Sequence, residues 1–336
     1  MAVLLTGGAG FIGSHTCVEF LEAGEDIVVM DNFSNSKKEV IDNIREITGR
    51  SFPFYETDML DEDGVRAIFR ENEIESVVHF AGVKAVGESV EKPLSYYGTN
   101  VSGALNMLRV MDEFECRRMV FSSSACVYGE DNDIPYREGM PTLSATNPYG
   151  QTKIIIERIM QDLFASNGQW SIVLLRYFNP IGAHSSALIG EDPEGIPNNL
   201  LPYISKLAVG KLPELCIYGN DYPTRDGTGV RDYIHVVDLA RGHLAAIEYA
   251  RGRQCCEPVN LGTGTGYSVF DVLHAYERAC GKTLPYKIAP RRAGDIAEFY
   301  ADPSKARELF GWEAKKDLDE MCADSWRFAR KAHGII

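Results

Sequence analysis

Four glycines within seven residues follow the short apolar stretch Val3-Leu4-Leu5-Thr6, in Thr6-Gly7-Gly8-Ala9-Gly10-Phe11-Ile12-Gly13-Ser14-His15. Both the G-x-G-x-x-G spacing (Gly8, Gly10, Gly13) and the G-x-x-G-x-x-G spacing (Gly7, Gly10, Gly13) can be read there. Such a junction between a strand and a helix permits a tight turn and close backbone approach, and the free N–H groups and dipole of the helix hold a pyrophosphate. The remainder of the first half repeats the same unit. Strands are predicted at 3–6, 26–31, 51–56, 76–80, 118–122 and 172–177, and helices near 12–23, 37–47, 61–72, 93–114 and 149–167. Alternating strands and helices pair in parallel with right-handed crossovers, so the fold expected is α/β, a doubly wound, Rossmann-like parallel sheet that binds ligands at its carboxyl edge.

The alternation stops near Asn179-Pro180. A stretch rich in Gly, Pro, Ser and Asn runs to about Asn199, and loops of that length in compact proteins are usually functional. Beyond it, short strands at 215–218 and 258–261 and helices near 199–209, 236–250, 268–280 and 317–332 suggest a smaller, mixed α/β substrate domain. The expected division is 1–180 for the dinucleotide and 181–336 for the substrate, with some chain crossing back to the first.

Acidic residues outnumber basic ones, 48 to 34, giving a net charge of -14. Bulk attraction to nucleic acid or anionic membranes is thereby excluded, and an anionic ligand must meet local positive charge. No apolar run reaches the roughly 18 to 20 residues of a membrane span, and no signal-like stretch precedes the glycines. The eight cysteines show neither a C-x-x-C pair nor ligand-like spacing, so no metal is expected and a reducing, cytoplasmic setting is.

Asp31 ends the second predicted strand, 18 residues after Gly13, where its carboxylate can accept hydrogen bonds from the ribose hydroxyls of an adenosine. A 2′-phosphate would meet like charge there, which favours NAD over NADP. Asp58, after the third strand, suits the adenine edge or a helix cap equally. A second constellation is Ser122-Ser123-Ser124 at a strand end, with Tyr149-Gly150-Gln151-Thr152-Lys153 opening a long helix. Tyr149 and Lys153, four apart, share a helix face, so the ammonium can stabilise a phenolate by charge and hydrogen bonding. Ser124 can then bridge that tyrosine and a substrate hydroxyl.

Beyond the glycine loop, four further stretches join the Tyr149–Lys153 motif in a common pattern. They are His79-Phe80-Ala81-Gly82-Val83-Lys84-Ala85-Val86-Gly87-Glu88-Ser89, Ser122-Ser123-Ser124-Ala125-Cys126-Val127-Tyr128-Gly129, Leu175-Arg176-Tyr177-Phe178-Asn179-Pro180 and Gly227-Thr228-Gly229-Val230-Arg231-Asp232-Tyr233-Ile234-His235-Val236. With these motifs the chain resembles, along essentially its whole length, the UDP-glucose 4-epimerase family of extended short-chain dehydrogenases/reductases. The resemblance implies that Tyr149 is the acid/base, that Lys153 holds the nicotinamide ribose and tunes Tyr149, and that Ser124 aids proton transfer. It implies an NAD site made by Gly7, Gly10, Phe11, Ile12, Gly13, Asp31, Asn32, Asp58, Met59, Phe80, Ala81, Gly82, Lys84 and Phe178 together with Tyr149 and Lys153. It assigns the UDP-sugar to Ser124, Asn179, Asn199, Leu200, Tyr218, Arg231, Arg292, Asp295 and Phe299. The two arginines also suit an anionic diphosphate on chemical grounds. Phe299 reads either as the wall beside the hexose or as a core residue. Two positions depart from the family: Thr99, with Asn100 next to it, stands where Asn is common, and Cys126 where Thr is usual.

By the same resemblance, UDP-glucose and UDP-galactose are interconverted through a 4-keto sugar, in galactose metabolism, by a homodimer packed through the helices near 93–114 and 149–167. A nucleotide-sugar 4,6-dehydratase is the nearest rival, but it carries an Asp-Glu pair where this chain has Ala125 and Cys126. A non-catalytic NAD-binding regulator of the same fold is a second rival, and proteins of that kind lack the Tyr-Lys pair.

Overall fold

Side chains along the first strands alternate between two covered faces, and that alternation organises the molecule. In β1 (Ala2–Thr6), Val3 and Leu5 join one core while Leu4 joins another, all without exposed surface. Strands buried on both faces read as near-continuous apolar runs, as these do. The computed structural model describes every residue except 131, 143, 194, 196, 198, 293, 294 and 336. In chain order the first half continues with α1 (Phe11–Glu22), β2 (Ile27–Asp31), α2 (Glu39–Thr48), β3 (Phe54–Glu56), α3 (Glu62–Glu71) and β4 (Ile74–His79). Next come α4 (Val86–Glu91), α5 (Pro93–Tyr96), α6 (Ser102–Glu113), β5 (Arg118–Ser122), α7 (Pro148–Asn167), β6 (Ser171–Tyr177) and β7 (Asn179–Ile181). The second half holds α8 (Leu200–Ala208), β8 (Leu215–Tyr218), β9 (Val230–His235), α9 (Val236–Ala250), β10 (Cys255–Leu261) and β11 (Gly266–Ser268). It ends with α10 (Val269–Cys280), β12 (Tyr286–Ala289), β13 (Glu298–Phe299), α11 (Ser304–Phe310) and α12 (Leu318–Ala332).

Seven parallel strands form the large sheet in the order β10-β6-β5-β4-β1-β2-β3. Apolar residues of α1, α2 and α9 cover one face, and those of α3, α6 and α7 the other. Strand order reverses between β1 and β4, which opens the crevice at their carboxyl ends where such sheets bind ligands. A small sheet joins β9 to β7, β11 and β13, β12 pairs with β8, and a third core packs α8, α10 and α12 together.

Three local readings differ from the structure. The strand at 258–261, assigned above to the second half's own sheet, begins at Cys255 and pairs along β6 as the seventh strand of the large sheet. Val259, Asn260 and Leu261 have no exposed surface, and as neighbours on a strand they point to opposite faces, so they require a position covered on both sides. The helix expected over 93–114 is broken into α5, a π turn at Tyr97–Val101, and α6. The strand expected from 51 starts at Phe54, because Pro53 has no N–H to give a ladder. Among the described residues no helix is long and apolar enough to cross a membrane, and no three His, Cys, Asp or Glu are placed to share a metal.

Candidate active site

The glycine loop is shaped by what lies against it. Gly7 has φ +69°, and a Cβ there would sit 2.8 Å from the backbone nitrogen of Ala81 at the end of β4. A Cβ on Gly13 would collide with the carbonyl oxygen of Gly7. Helix α1 begins with Gly10 as N-cap, with no capping side chain and no acid in its first turn, so its dipole and leading N–H groups face the crevice unneutralised. Ile12 lies on the same turn and packs into the core below.

Asp31 ends β2 as expected and is 8% exposed. One carboxylate oxygen accepts from Ala9 N at 3.0 Å, and the other from Phe33 N at 2.9 Å and Ser36 Oγ at 2.8 Å. The glycine loop is therefore pinned to the strand end that would meet a ribose. Asp58 accepts from Asn32 Nδ2 and from Leu60 N, both at 2.8 Å, while the cap of α3 is Asp61, accepting from Gly64 N. Asp58 is thus not a helix cap. Met59 is buried against Gly103 of α6. On the other side of the crevice the Phe80 ring lies 4.7 Å from that of His243, and Gly82 leads into a loop held by Asn100. Asn100 accepts from Val83 N at 2.9 Å and donates to Val83 O and Thr152 Oγ1, both at 3.0 Å. The π turn rotates Asn100, not Thr99, into the interior, where it is 3% exposed. Lys84 stands 6.0 Å from the centre of the Phe11 ring and pairs with Glu191 at 3.1 Å.

Three serines at the end of β5 hold three different neighbours. Ser122 Oγ donates to Tyr177 OH at 3.0 Å, Ser123 Oγ donates to Glu157 at 2.5 Å, and Ser124 Oγ accepts from Cys126 N at 3.2 Å. Asn147 caps α7 by accepting from Gly150 N at 2.9 Å, and Pro148 occupies its first turn, so Tyr149 enters the crevice from the helix start. Tyr149 and Lys153 are both buried. The ammonium does not bond the phenol directly: it donates to the carbonyl of Ser122 at 2.8 Å and lies 5.8 Å from the Tyr149 ring centre. Burial lowers Lys153 to about 8, with Glu157 pulling the other way. Burial also pushes the Tyr149 phenol well above its ordinary value, against the Ser124 hydroxyl. The chain alone therefore keeps Tyr149 protonated. Tyr177 and His243 flank this group, and neither was singled out from the sequence, though Tyr177 stands inside one of the quoted motifs.

The second half supplies the facing wall. Asn179 lies on β7, paired with Tyr233 of β9. Arg231, also on β9, donates to Val230 O at 2.8 Å and Ile296 O at 3.0 Å. Arg292 reaches Asp295 at 2.8 and 3.3 Å, with its guanidinium carbon 4.9 Å from the centre of the Tyr218 ring. Both guanidiniums lie close enough to Tyr233 to oppose the burial that raises its phenol to about 12. Asn199 is the N-cap of α8 with its side chain unbonded to the helix, and Leu200 is the first helical residue. Phe299 sits opposite Arg231 in the small sheet, 5.1 Å from the Phe178 ring and 4.7 Å from that of Tyr136. It packs in an aromatic cluster that also contains Ala125, directly after Ser124.

In sequence and in fold the chain is similar to known proteins. A family model described as GDP-mannose 4,6 dehydratase matches residues 4–325. The chain is 57% identical to the UDP-glucose 4-epimerase of Bacillus subtilis, over 98% of its own length and 96% of the relative's. The chain belongs to the UDP-glucose 4-epimerase family. Two crystal structures of epimerases agree with it closely. That from Bifidobacterium longum, in complex with NAD+ and UDP, has a TM-score of 0.96 and 50% identity over 100% of both chains. That from Stenotrophomonas maltophila, with bound NAD and formylated UDP-arabinopyranose, has a TM-score of 0.97 and 46% identity over 99% of this chain and 98% of the other. The dehydratase description of the broad family model has no counterpart in side chains here. Where the dehydratase pattern has its acidic pair, this epimerase has a buried Ala125 and the Cys126 thiol.

Proposed function

We propose that the protein is an NAD-dependent UDP-glucose 4-epimerase that interconverts UDP-glucose and UDP-galactose. The observation that carries this reading is the meeting at one sheet edge of a buried Tyr149, an ammonium anchored on Ser122 O, and an uncapped glycine-rich helix start. The cofactor fits these residues. The uncapped start of α1 suits a pyrophosphate, and Asp31 suits the ribose hydroxyls and disfavours a 2′-phosphate. Asn32 and Asp58 stand beside Asp31 for the adenosine end, and Tyr149, Lys153, Ser124 and Phe178 serve the nicotinamide end. When bound, NAD would supply the hydride acceptor and donor for the sugar C4 and, oxidised, a positive charge that favours the phenolate.

The chain's own residues do the rest. Tyr149, its phenolate favoured by the nearby Lys153 ammonium, accepts the proton of the sugar 4-hydroxyl and later returns it. Ser124, at the end of β5, bridges phenol and hydroxyl. Arg231, Arg292 and Asp295 grip the nucleotide diphosphate and its ribose, with Asn179, Asn199, Leu200 and Tyr218 around the uridine. Anchoring by the nucleotide leaves the hexose free to turn about its bond to the diphosphate, so the 4-keto sugar can present either face for reduction while its 4-oxygen stays within reach of the same acid/base. Residues 1–180 serve NAD and 181–336 serve the UDP-sugar, with α9 and β10 crossing back into the first sheet. We further infer a homodimer packed through α6 and α7, which carry the partly exposed apolar residues Leu105 and Ile155, and a cytoplasmic role in galactose metabolism.

The test is to supply purified protein with UDP-galactose and detect UDP-glucose through a coupled UDP-glucose dehydrogenase. Steady formation of UDP-glucose is expected. A folded, NAD-loaded protein that gives none would leave a binding role for the same fold.

A further inference from the structure

Behind Ser124 and Lys153, out of reach of any substrate, lies a buried ion pair that the reaction as described does not use. Glu157 and Arg176 have side chains 3% exposed each. Glu157 accepts from Arg176 Nε at 3.0 Å and from Nη2 at 2.6 Å, a bidentate pair. The remaining guanidinium nitrogen donates to Tyr128 OH at 3.2 Å and Glu138 O at 3.3 Å. Tyr128 OH in turn donates to Asn260 on β10 at 2.6 Å. Replacing such a pair with apolar residues is often neutral for stability, so its presence in the core is not explained by stability alone.

Its placement suggests another role. Glu157 lies one helical turn beyond Lys153 on α7, and it takes the 2.5 Å hydrogen bond of Ser123, the neighbour of Ser124. Arg176 lies on β6, directly before Tyr177, which receives the hydrogen bond of Ser122. The pair therefore joins the three elements that present Ser124, Lys153 with Tyr149, and the β6 end carrying Tyr177 and Phe178. We propose that Glu157 and Arg176 are positioning residues for the epimerase reaction: clamped on Ser123, they set the distance between the Ser124 hydroxyl and the Tyr149–Lys153 face of α7. They touch neither substrate nor cofactor. The pair has an electrical consequence as well. Lys153 faces Tyr149 and Glu157 on its own helix, His79 on β4, Ser122 at the end of β5 and Cys126 in the segment after it. Among these, burial keeps His79 neutral, so Glu157 is the one carboxylate among these groups that holds the ammonium charged.

The inference rests on the roles given above to Ser124, Tyr149 and Lys153, and the experiment separates the two. Ser123→Ala, Glu157→Gln and the double variant Glu157→Met/Arg176→Met are compared with the parent for melting temperature, UDP affinity, kcat and KM with UDP-galactose, and the pH profile of kcat. Expected for Ser123→Ala is a kcat lower by threefold or more, with UDP affinity and KM within threefold and the alkaline limb unmoved. Expected for Glu157→Gln is a larger fall in kcat and an alkaline limb displaced to lower pH, because the ammonium loses its carboxylate. The double variant, which keeps the core filled and removes both charges, should fold and lose at least tenfold in kcat with little change in KM. If Ser123→Ala turns over within threefold of the parent, the clamp is overturned, whether or not the other variants fold. A folded double variant with parental kcat overturns it equally. If instead Tyr149→Phe retains full activity, it is the assignment of the site that fails, and not the clamp.

Discussion

Acidification should unfold this protein through three histidines buried close to the crevice. His15, His79 and His243 are at most 1% exposed, and burial lowers them to about 3, 3 and 4 respectively. His15 gives its Nδ1 to Phe11 O and has no partner for Nε2 among the described residues, while His79 shares Nδ1 with Thr6 Oγ1 and His243 shares Nδ1 with Leu239 O. Folded values below the unfolded value of about 6.5 mean that the unfolded chain binds more protons under that pH. The stability these groups contribute is full above about 6.5 and is lost as pH falls toward their folded values. Between pH 7 and 5 each histidine costs about 2 kcal/mol, so the three together cost on the order of 6 kcal/mol. Glu19, raised by its own burial, opposes this in part. Typical domains have only about 5 to 15 kcal/mol to lose. Urea unfolding followed by tryptophan fluorescence at pH 7 and 5, on protein freed of nucleotide, measures the difference. His79→Asn keeps an acceptor for Thr6 and should shrink the difference by about 2 kcal/mol. A parent protein equally stable at both pH values, or a His79→Asn variant with an unchanged pH slope, refutes the reasoning.

Three further outcomes are expected. Tyr149→Phe keeps the ring and the buried surface but loses the proton acceptor, so kcat should fall by about 10² to 10⁴ with UDP affinity intact; turnover within threefold of the parent would rule it out as the base. Protein purified without added nucleotide should carry NAD, and Asp31→Ala should weaken its retention by about 1.5 to 3 kcal/mol, read by cofactor release on dialysis; nucleotide-free protein equally active with NADP contradicts this. Phe299→Cys should improve kcat/KM for UDP-N-acetylglucosamine relative to UDP-glucose by roughly one to two powers of ten, since a bulky wall penalises an acetamido group. The same change should lower the melting temperature, because Phe299 also packs against Tyr136 and Phe178, and an unchanged substrate ratio would make it a core residue only.

What the sequence could and could not disclose follows from how far apart the partners lie along the chain. The glycine loop, Asp31 and the Tyr149–Lys153 face are set by short spacings within one strand, one turn or one helix, so their elements were legible. The choice between Thr99 and Asn100 was not, because a π turn shifts the helical register by a residue and no composition signal marks it. The Lys84–Glu191 pair spans 107 residues and the Glu157–Arg176 pair 19, and periodicity carries no information about such matches. β10 was misplaced for a related reason: a short apolar run does not say which sheet it completes. Arg176 still carried a usable signal. It stands in a strand whose residues from Ser171 to Arg176 are all buried, and a guanidinium in that position needs a carboxylate within reach. Glu157 is the acid on the Lys153 face of the helix that leads into that strand, while Asp162 falls on the opposite, exposed face, so asking where each buried charge finds its counterion would have pointed to the clamp.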